Sequence, residues 1–173
     1  MGALFRKRLG SRKFCRYTKG MTSTLLRPPT IELQILSWSR QLQPIRFNEY
    51  SALRFLTNAI QGMRNAQTPN CPPIDQLNSA YSGIYSLCLG SLYLHGVLPV
   101  GKEGYRALAI QLASEMLQLR TSERDKILNA SHYLQLIMCD HPEQVEESVA
   151  HDMVALGRRT LLQAQRIFPD WFV

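Results

Sequence analysis

The stretch from residue 74 to residue 94, which reads IDQLNSAYSGIYSLCLGSLYL, decides the fold. Its apolar side chains recur at spacings of three and four, the period of one face of an α-helix. Further apolar residues widen this stripe until most of the helix circumference is apolar, which is typical of a helix at the centre of a bundle. The stripe comprises Leu77, Tyr81, Ile84, Cys88 and Leu92, widened by Ala80, Leu87 and Leu94. Gly83 and Gly90 lie on one side, where a neighbouring helix could approach closely.

Helices are predicted on both sides of this central segment. Before it, Thr30 can cap a leading helix from Ile31 to about Leu42, and Asn48 can cap a second helix from Glu49 to about Asn65. After it, helical patterns cover about 103–119, 121–138 and 142–168. The second helix is expected to bury Tyr50, Leu53, Leu56 and Ile60, and the last helix Val145, Val149, Met153, Leu156 and Ile167.

The connections between these segments are short and no strand-like alternation interrupts them. Short connections favour antiparallel neighbours. The sequence therefore predicts an all-α protein, an antiparallel (up-and-down) bundle of four to five main helices plus the leading helix. Residues 30–173 are assigned to this single domain.

Residues 1–29 are interpreted as a flexible, basic N-terminal tail. The chain has 20 lysine and arginine residues against 13 aspartate and glutamate residues. Seven of the basic residues and no acidic one fall within residues 1–20, so 13 of each sign remain in residues 21–173. The tail could bind nucleic-acid phosphates without sequence specificity, or it could be a solvated extension ahead of a start at Met21. The candidate phosphate contacts are Arg6, Lys7, Arg8, Arg12 and Lys13.

Several classes of protein are excluded by pattern. No uninterrupted apolar run reaches the roughly 18 residues of a membrane-spanning helix, so no membrane partner is expected. The four cysteines form no C-x-x-C pair, which favours free thiols in a reducing, cytoplasmic compartment. The four histidines lack the spacing of metal ligands, and no P-loop, dinucleotide turn or nucleophile elbow is present. We expect neither a metal nor a cofactor.

One part of the chain supports a family comparison. After the apolar helix that contains Tyr81 and Tyr85 comes a glycine-bounded turn reading EGYR, residues 103–106. An apolar helix follows, then a helix with Asn-Ala-Ser-His-Tyr at 129–133, and last a long helix with an acidic start. This order over about residues 48–168 resembles the HEPN superfamily, the higher eukaryotes and prokaryotes nucleotide-binding domain. The resemblance implies a helical bundle that forms a homodimer.

The resemblance also implies a candidate site. Many HEPN proteins are metal-independent endoribonucleases of toxin–antitoxin or phage-defence systems, with an Arg, a following polar residue and then a His or Tyr on one helix. Asn129 matches the polar position and Tyr133 the terminal one, but Leu128 stands where the Arg belongs. Arg124 lies one helical turn earlier, farther from His132 than that motif allows. The catalytic candidates are therefore Asn129, His132, Tyr133 and Arg124, in a pattern that lacks its charge-stabilising group.

Three functions remain open from the sequence. The first is a HEPN-like module without ribonuclease activity, which binds a partner protein or RNA or assembles with itself. The second is an endoribonuclease that recruits Arg124 or an arginine of a partner subunit. The third is a helical scaffold unrelated to nucleic acid, in which Asn129 and Tyr133 are only a polar pair spaced one turn apart. The missing Arg argues against an enzyme.

Overall fold

The computed structural model describes residues 25–38, 40–101, 104–137 and 145–172. Within these ranges the chain forms six helices and one short sheet: α1 Ile31–Trp38, β1 Leu42–Pro44, α2 Glu49–Asn65, α3 Pro73–Leu94, β2 Val97–Pro99, α4 Tyr105–Met116, α5 Thr121–Ile137 and α6 Glu147–Ile167, followed by a 3₁₀ turn, Pro169–Phe172. The all-α helical bundle expected from the sequence is confirmed. No helix in the described ranges is long and apolar enough to cross a membrane.

The central position of α3 is confirmed. It packs against α2, α4, α5 and α6, and twelve of its residues are buried. Contacts at mid-helix and at the C-terminal ends show that α3 and α6 run in the same direction, since Ile84 lies beside Gly157 and His95 lies beside Phe168. This pair departs from the strict up-and-down order that the sequence predicted. α5 runs opposite to α6, because Lys126 reaches Asp152 while Glu123, nearer the start of α5, reaches the later Arg159.

α2 and α3 approach closely through glycine. A Cβ atom on Gly62 would lie 2.9 Å from the Cα atom of Gly83 and 2.8 Å from the carbonyl oxygen of Ser79. The predicted close approach at Gly83 is therefore present. At Gly90, by contrast, the space is filled by the side chain of Trp171 rather than by a helix backbone.

The leading helix ends earlier than expected. α1 stops at Trp38, and Arg40 takes a positive φ of 62°. Leu42–Pro44 then pairs antiparallel with Val97–Pro99. From the sequence, Val97–Pro99 was expected to be only part of the connection between α3 and α4. The pairing buries Leu42 and Val97 completely or nearly so, in a second apolar cluster with Leu33 and Leu92. This small sheet holds α1 against the bundle.

The boundary placed at residue 29 is wrong for the residues that the structure describes. Leu25 is buried in the main core, and the backbone N–H of Arg27 donates to the carbonyl oxygen of Leu94 at 2.7 Å. The Arg27 guanidinium also contacts the Asp170 carboxylate at 2.7 Å. The packed body thus includes residues 25–29. Burial of the apolar Leu25 side chain is favourable in free energy compared with its exposure to water. Residues 1–24, with the candidate phosphate contacts, lie outside the described residues.

Two predicted inward faces also need correction. Tyr50 and Leu53 are exposed on α2, and the residues that α2 buries are Ala52, Leu56, Ala59 and Met63. Small residues on this face let α2 lie close to α3, which turns the bulkier side chains outward. On α6, Val149 is 40% exposed, whereas Met153 and Leu156 are buried as expected. α6 begins at Glu147 because Glu146 has an extended backbone, with ψ of 136°.

Candidate binding grooves on helix α5

The four catalytic candidates from the sequence all lie on α5. One face of this helix is buried through Ile127, Ala130 and Leu134. Asn129 and His132 are exposed beside this face. Tyr133 is half-buried and packs against the core. The helix thus has a buried ridge with grooves on its two flanks, and His132 lines both of them.

The first groove, called the α5–α6 groove, has a volume of about 580 Å³. Asn129, His132 and Tyr133 line it from α5, and Val149 and Asp152 line it from α6. Three of the four sequence candidates therefore lie together. Arg124 lines neither groove.

The cations around the start of α5 are occupied by carboxylates. The Nε and Nη2 atoms of Arg124 each lie 3.2 Å from Oδ1 of Asp125. Lys126 contacts Asp152 at 2.7 Å, and apart from His132 it is the only basic side chain among the described residues that line the α5–α6 groove. This hydrogen bond lowers the pKa of the Asp152 carboxyl. Leu128 is half-buried against the core, so the position that would hold the catalytic arginine carries no charge.

The second groove, called the α4–α5 groove, was not predicted from the sequence. Its volume is about 590 Å³, and residues 104–107 face Ser131, His132 and Gln135 across it. In the comparison with the HEPN superfamily, the EGYR turn was used only to describe the order of the helices. The feature of the sequence that could have indicated this groove was a helix that starts after a glycine, with an arginine and no acidic residue in its first turn.

Arg106 is held at this groove by aromatic rings. Its guanidinium carbon lies 5.9 Å from the ring centre of Tyr85 and 6.0 Å from that of Tyr105, within the range of cation–π attraction. Its Nε donates to the Tyr105 hydroxyl at 3.3 Å. This hydrogen bond lowers the pKa of Tyr105.

A tyrosine pair behind Arg106 connects the groove to the core. The rings of Tyr81 and Tyr85 are parallel, with centres 6.1 Å apart, and the Tyr81 hydroxyl donates to Ser131 Oγ at 2.9 Å. Burial raises the pKa of both tyrosines, so they stay protonated at neutral pH. The Tyr85 hydroxyl oxygen is buried and makes no hydrogen bond of good geometry among the described residues, although the nearby Tyr105 hydroxyl adds to the rise in its pKa.

The remaining predicted features fit a structural role. Cys88 is fully buried, and burial raises the pKa of its thiol to about 12. Cys71 is half-buried and, like Cys88, forms no disulfide, whereas Cys15 and Cys139 lie outside the described residues. In the described part of the chain, no three His, Cys, Asp or Glu side chains come together as a metal site would require.

Comparisons with known proteins identify no relative of this chain. No family model matches the chain, no curated protein is significantly similar to it in sequence, and no solved structure matches it.

Proposed function

We propose that this protein is a non-catalytic, HEPN-like binding and assembly module that acts in the cytoplasm within a toxin–antitoxin or phage-defence system. It would engage a partner protein, an RNA or a second copy of itself through the α5–α6 groove. The observation that carries this proposal is the pairing of side chains at that groove. Asn129 and Tyr133, at two of the three motif positions, line it, yet its lysine is neutralised by a carboxylate.

The electrostatics of α5 disfavour RNA cleavage. Breaking a phosphodiester bond places extra negative charge on the phosphate oxygens, and a fixed donor for that charge contributes about 3–4 kcal/mol, or about 100- to 1,000-fold in rate. Leu128 supplies no donor, and Arg124 already contacts Asp125. Tyr133 is also a weaker proton acceptor than the histidine usual at this position, because a neutral phenol is a much poorer base than imidazole.

An RNA cleavage assay tests the proposal. The purified protein is expected to cut a mixed-sequence RNA no faster than buffer does, with or without divalent metal. The double change Leu128→Arg with Tyr133→His rebuilds the family pattern and serves as the gain-of-function comparison. Cleavage by the unmodified protein that persists on repurification would contradict the proposal.

The second candidate is a metal-independent endoribonuclease, and one observation favours it. Arg106 and His132 line the same groove from different helices, which brings together a charge donor and a proton-transfer group. If this candidate holds, Arg106→Ala and His132→Ala each abolish cleavage, whereas Arg124→Ala does not. Loss of cleavage in Arg124→Ala alone would instead support the arginine singled out from the sequence.

A further inference from the structure

The α4–α5 groove contains a cation, Arg106, that contacts no carboxylate among the described residues. Arg27, Arg124, Lys126 and Arg159 all contact carboxylates. Arg106 is exposed, and its hydrogen bond in the described structure is to the Tyr105 hydroxyl rather than to a carboxylate. Because two rings hold its guanidinium in place, little side-chain entropy is left to lose when an anion binds.

The backbone adds donors at the same place. Gly104 has a φ of +72° and no side chain to cap α4, and no acidic residue lies in the first turn. The first intrahelical bond runs from the Leu108 N–H to the Gly104 carbonyl. The N–H groups of residues 105–107 therefore have no partner within the helix, and an uncapped helix start of this kind attracts anions.

The facing helix supplies polar groups as well. Ser131, His132 and Gln135 line the groove opposite Arg106. Ser131 Oγ accepts a hydrogen bond from Tyr81, so its own proton can be donated into the groove. Donors thus converge from two helices, and the site does not depend on a helix terminus alone.

We propose that the α4–α5 groove binds the phosphate group of a small phosphomonoester. Arg106 and the first-turn N–H groups hold the phosphate oxygens, and Ser131, His132 and Gln135 complete the set of donors. At about 590 Å³ the groove is larger than a phosphate, and Ala107 and Leu128 line it with apolar surface for the organic part.

Charge favours a small ester over a long polyanion. Nucleic-acid binding draws its affinity from many cations along a track, whereas the described residues that line this groove include one arginine. The 13 basic and 13 acidic residues of 21–173 cancel, so the body provides no wider positive field. This inference concerns a different groove from the proposed function and does not rest on it.

A titration followed by ¹⁵N–¹H correlation spectra tests the inference on the full chain. Inorganic phosphate and glycerol 3-phosphate are the probes. Saturable shifts are expected at the amides of residues 104–107 and 131–135, with the ester binding at least as tightly as inorganic phosphate. A short RNA without terminal phosphates is expected not to compete.

Three variants sharpen the test. Arg106→Gln should weaken phosphate binding about tenfold or more, the usual effect of losing a hydrogen bond to a charged group. Arg166→Gln, an exposed arginine outside the groove, is the matched control and should bind normally. Ala107→Glu places a carboxylate in the first turn, where it favours the helix but repels phosphate. This variant should fold at least as stably and lose binding.

The inference is overturned if the amides of residues 104–107 do not shift saturably, or if Ala107→Glu is folded and binds phosphate as before. Inorganic phosphate binding more tightly than the ester would also contradict it. Displacement of the ester by the unphosphorylated RNA would replace the inference with a polyanion site.

Discussion

At the scale of single residues, small side chains decide where the helices of this protein meet. Gly62 and Gly83 let the backbones of α2 and α3 touch, and Gly157 leaves space for the Met63 thioether. These sites differ in what surrounds them. Backbone atoms cannot move without separating two helices, whereas a thioether is flexible and can shift.

Replacing these glycines with alanine should separate the two cases. Gly62→Ala is expected to lower the free energy of unfolding by about 1–3 kcal/mol, because its Cβ meets helix backbone. Gly157→Ala should change it by less than about 1 kcal/mol, since the gain in helix propensity offsets the shift of Met63. Urea denaturation of both variants measures this. A Gly62→Ala variant as stable as the parent would refute the close packing.

His95 links stability to pH. It is half-buried, and its Nδ1 lies 2.8 Å from the carbonyl oxygen of Pro28. Burial lowers the pKa of this imidazole, with a smaller contribution from Arg27. The unfolded chain therefore binds the proton more readily than the folded one, and stability falls as pH drops through the ordinary histidine range near about 6.5.

Denaturation at about pH 7.5 and about pH 5.5 tests this coupling. The parent protein should lose stability toward the lower pH, and His95→Gln should lose less. His151→Gln, which removes an exposed imidazole on α6, is the control and should follow the parent. Equal losses in the parent and in His95→Gln would show that His95 is not the titrating group.

At the scale of elements, the two ends of the described chain stabilise each other. The segment 25–30 and the turn 169–172 lie at the same end of the bundle, joined by the Arg27–Asp170 ion pair. Trp171 is almost fully buried in that turn, and its indole N–H donates to the Ala52 carbonyl oxygen at 2.9 Å. The ends therefore close the core over α2 and α3.

Truncation separates the basic tail from this packed segment. Removal of residues 1–20 is expected to leave the thermal midpoint nearly unchanged, because the sequence there has no apolar stripe to bury. Removal of residues 1–29 also deletes the buried Leu25 and should lower the midpoint by several degrees, at roughly 1.5–3 kcal/mol for one buried leucine. Differential scanning calorimetry compares the two. A large loss already at residue 20 would show that the tail is docked.

At the scale of the whole molecule, the α5–α6 face is suited to contact a second copy. Val149 is 40% exposed there beside the half-buried Tyr133. A two-fold dimer needs one patch that is complementary to itself, and oppositely charged groups such as Lys126 and Asp152 lie on this face. Aromatic and apolar residues of this kind often provide the buried centre of an interface.

Light scattering on the order of 10 µM protein tests the predicted homodimer. Val149→Glu should convert the dimer to a monomer, because it would bury a charge without a partner. Leu162→Glu is the matched control, since Leu162 is 56% exposed on the opposite side of α6. A monomeric parent would contradict the prediction, and so would disruption by Leu162→Glu.

The helices and the all-α class could be predicted because both follow from local order. Spacings of three and four predicted α2 and α3 almost to the residue, and Asn48 caps α2 as expected by accepting from the Ser51 N–H. The predicted helix boundaries were wrong where contacts between residues distant in sequence set them. α1 ends early because Leu42–Pro44 pairs with Val97–Pro99, and three-residue strands leave no periodic signal.

The sequence by itself determined which segments are helical and which residue of the family motif is missing, since both depend on residues close together in the chain. Only the tertiary structure decided which side chains meet. It placed Arg106 of α4 opposite His132 of α5, and it paired Lys126 with Asp152 of α6. Helix packing sets such contacts across many intervening residues, and helical periodicity constrains each helix face but not its neighbour.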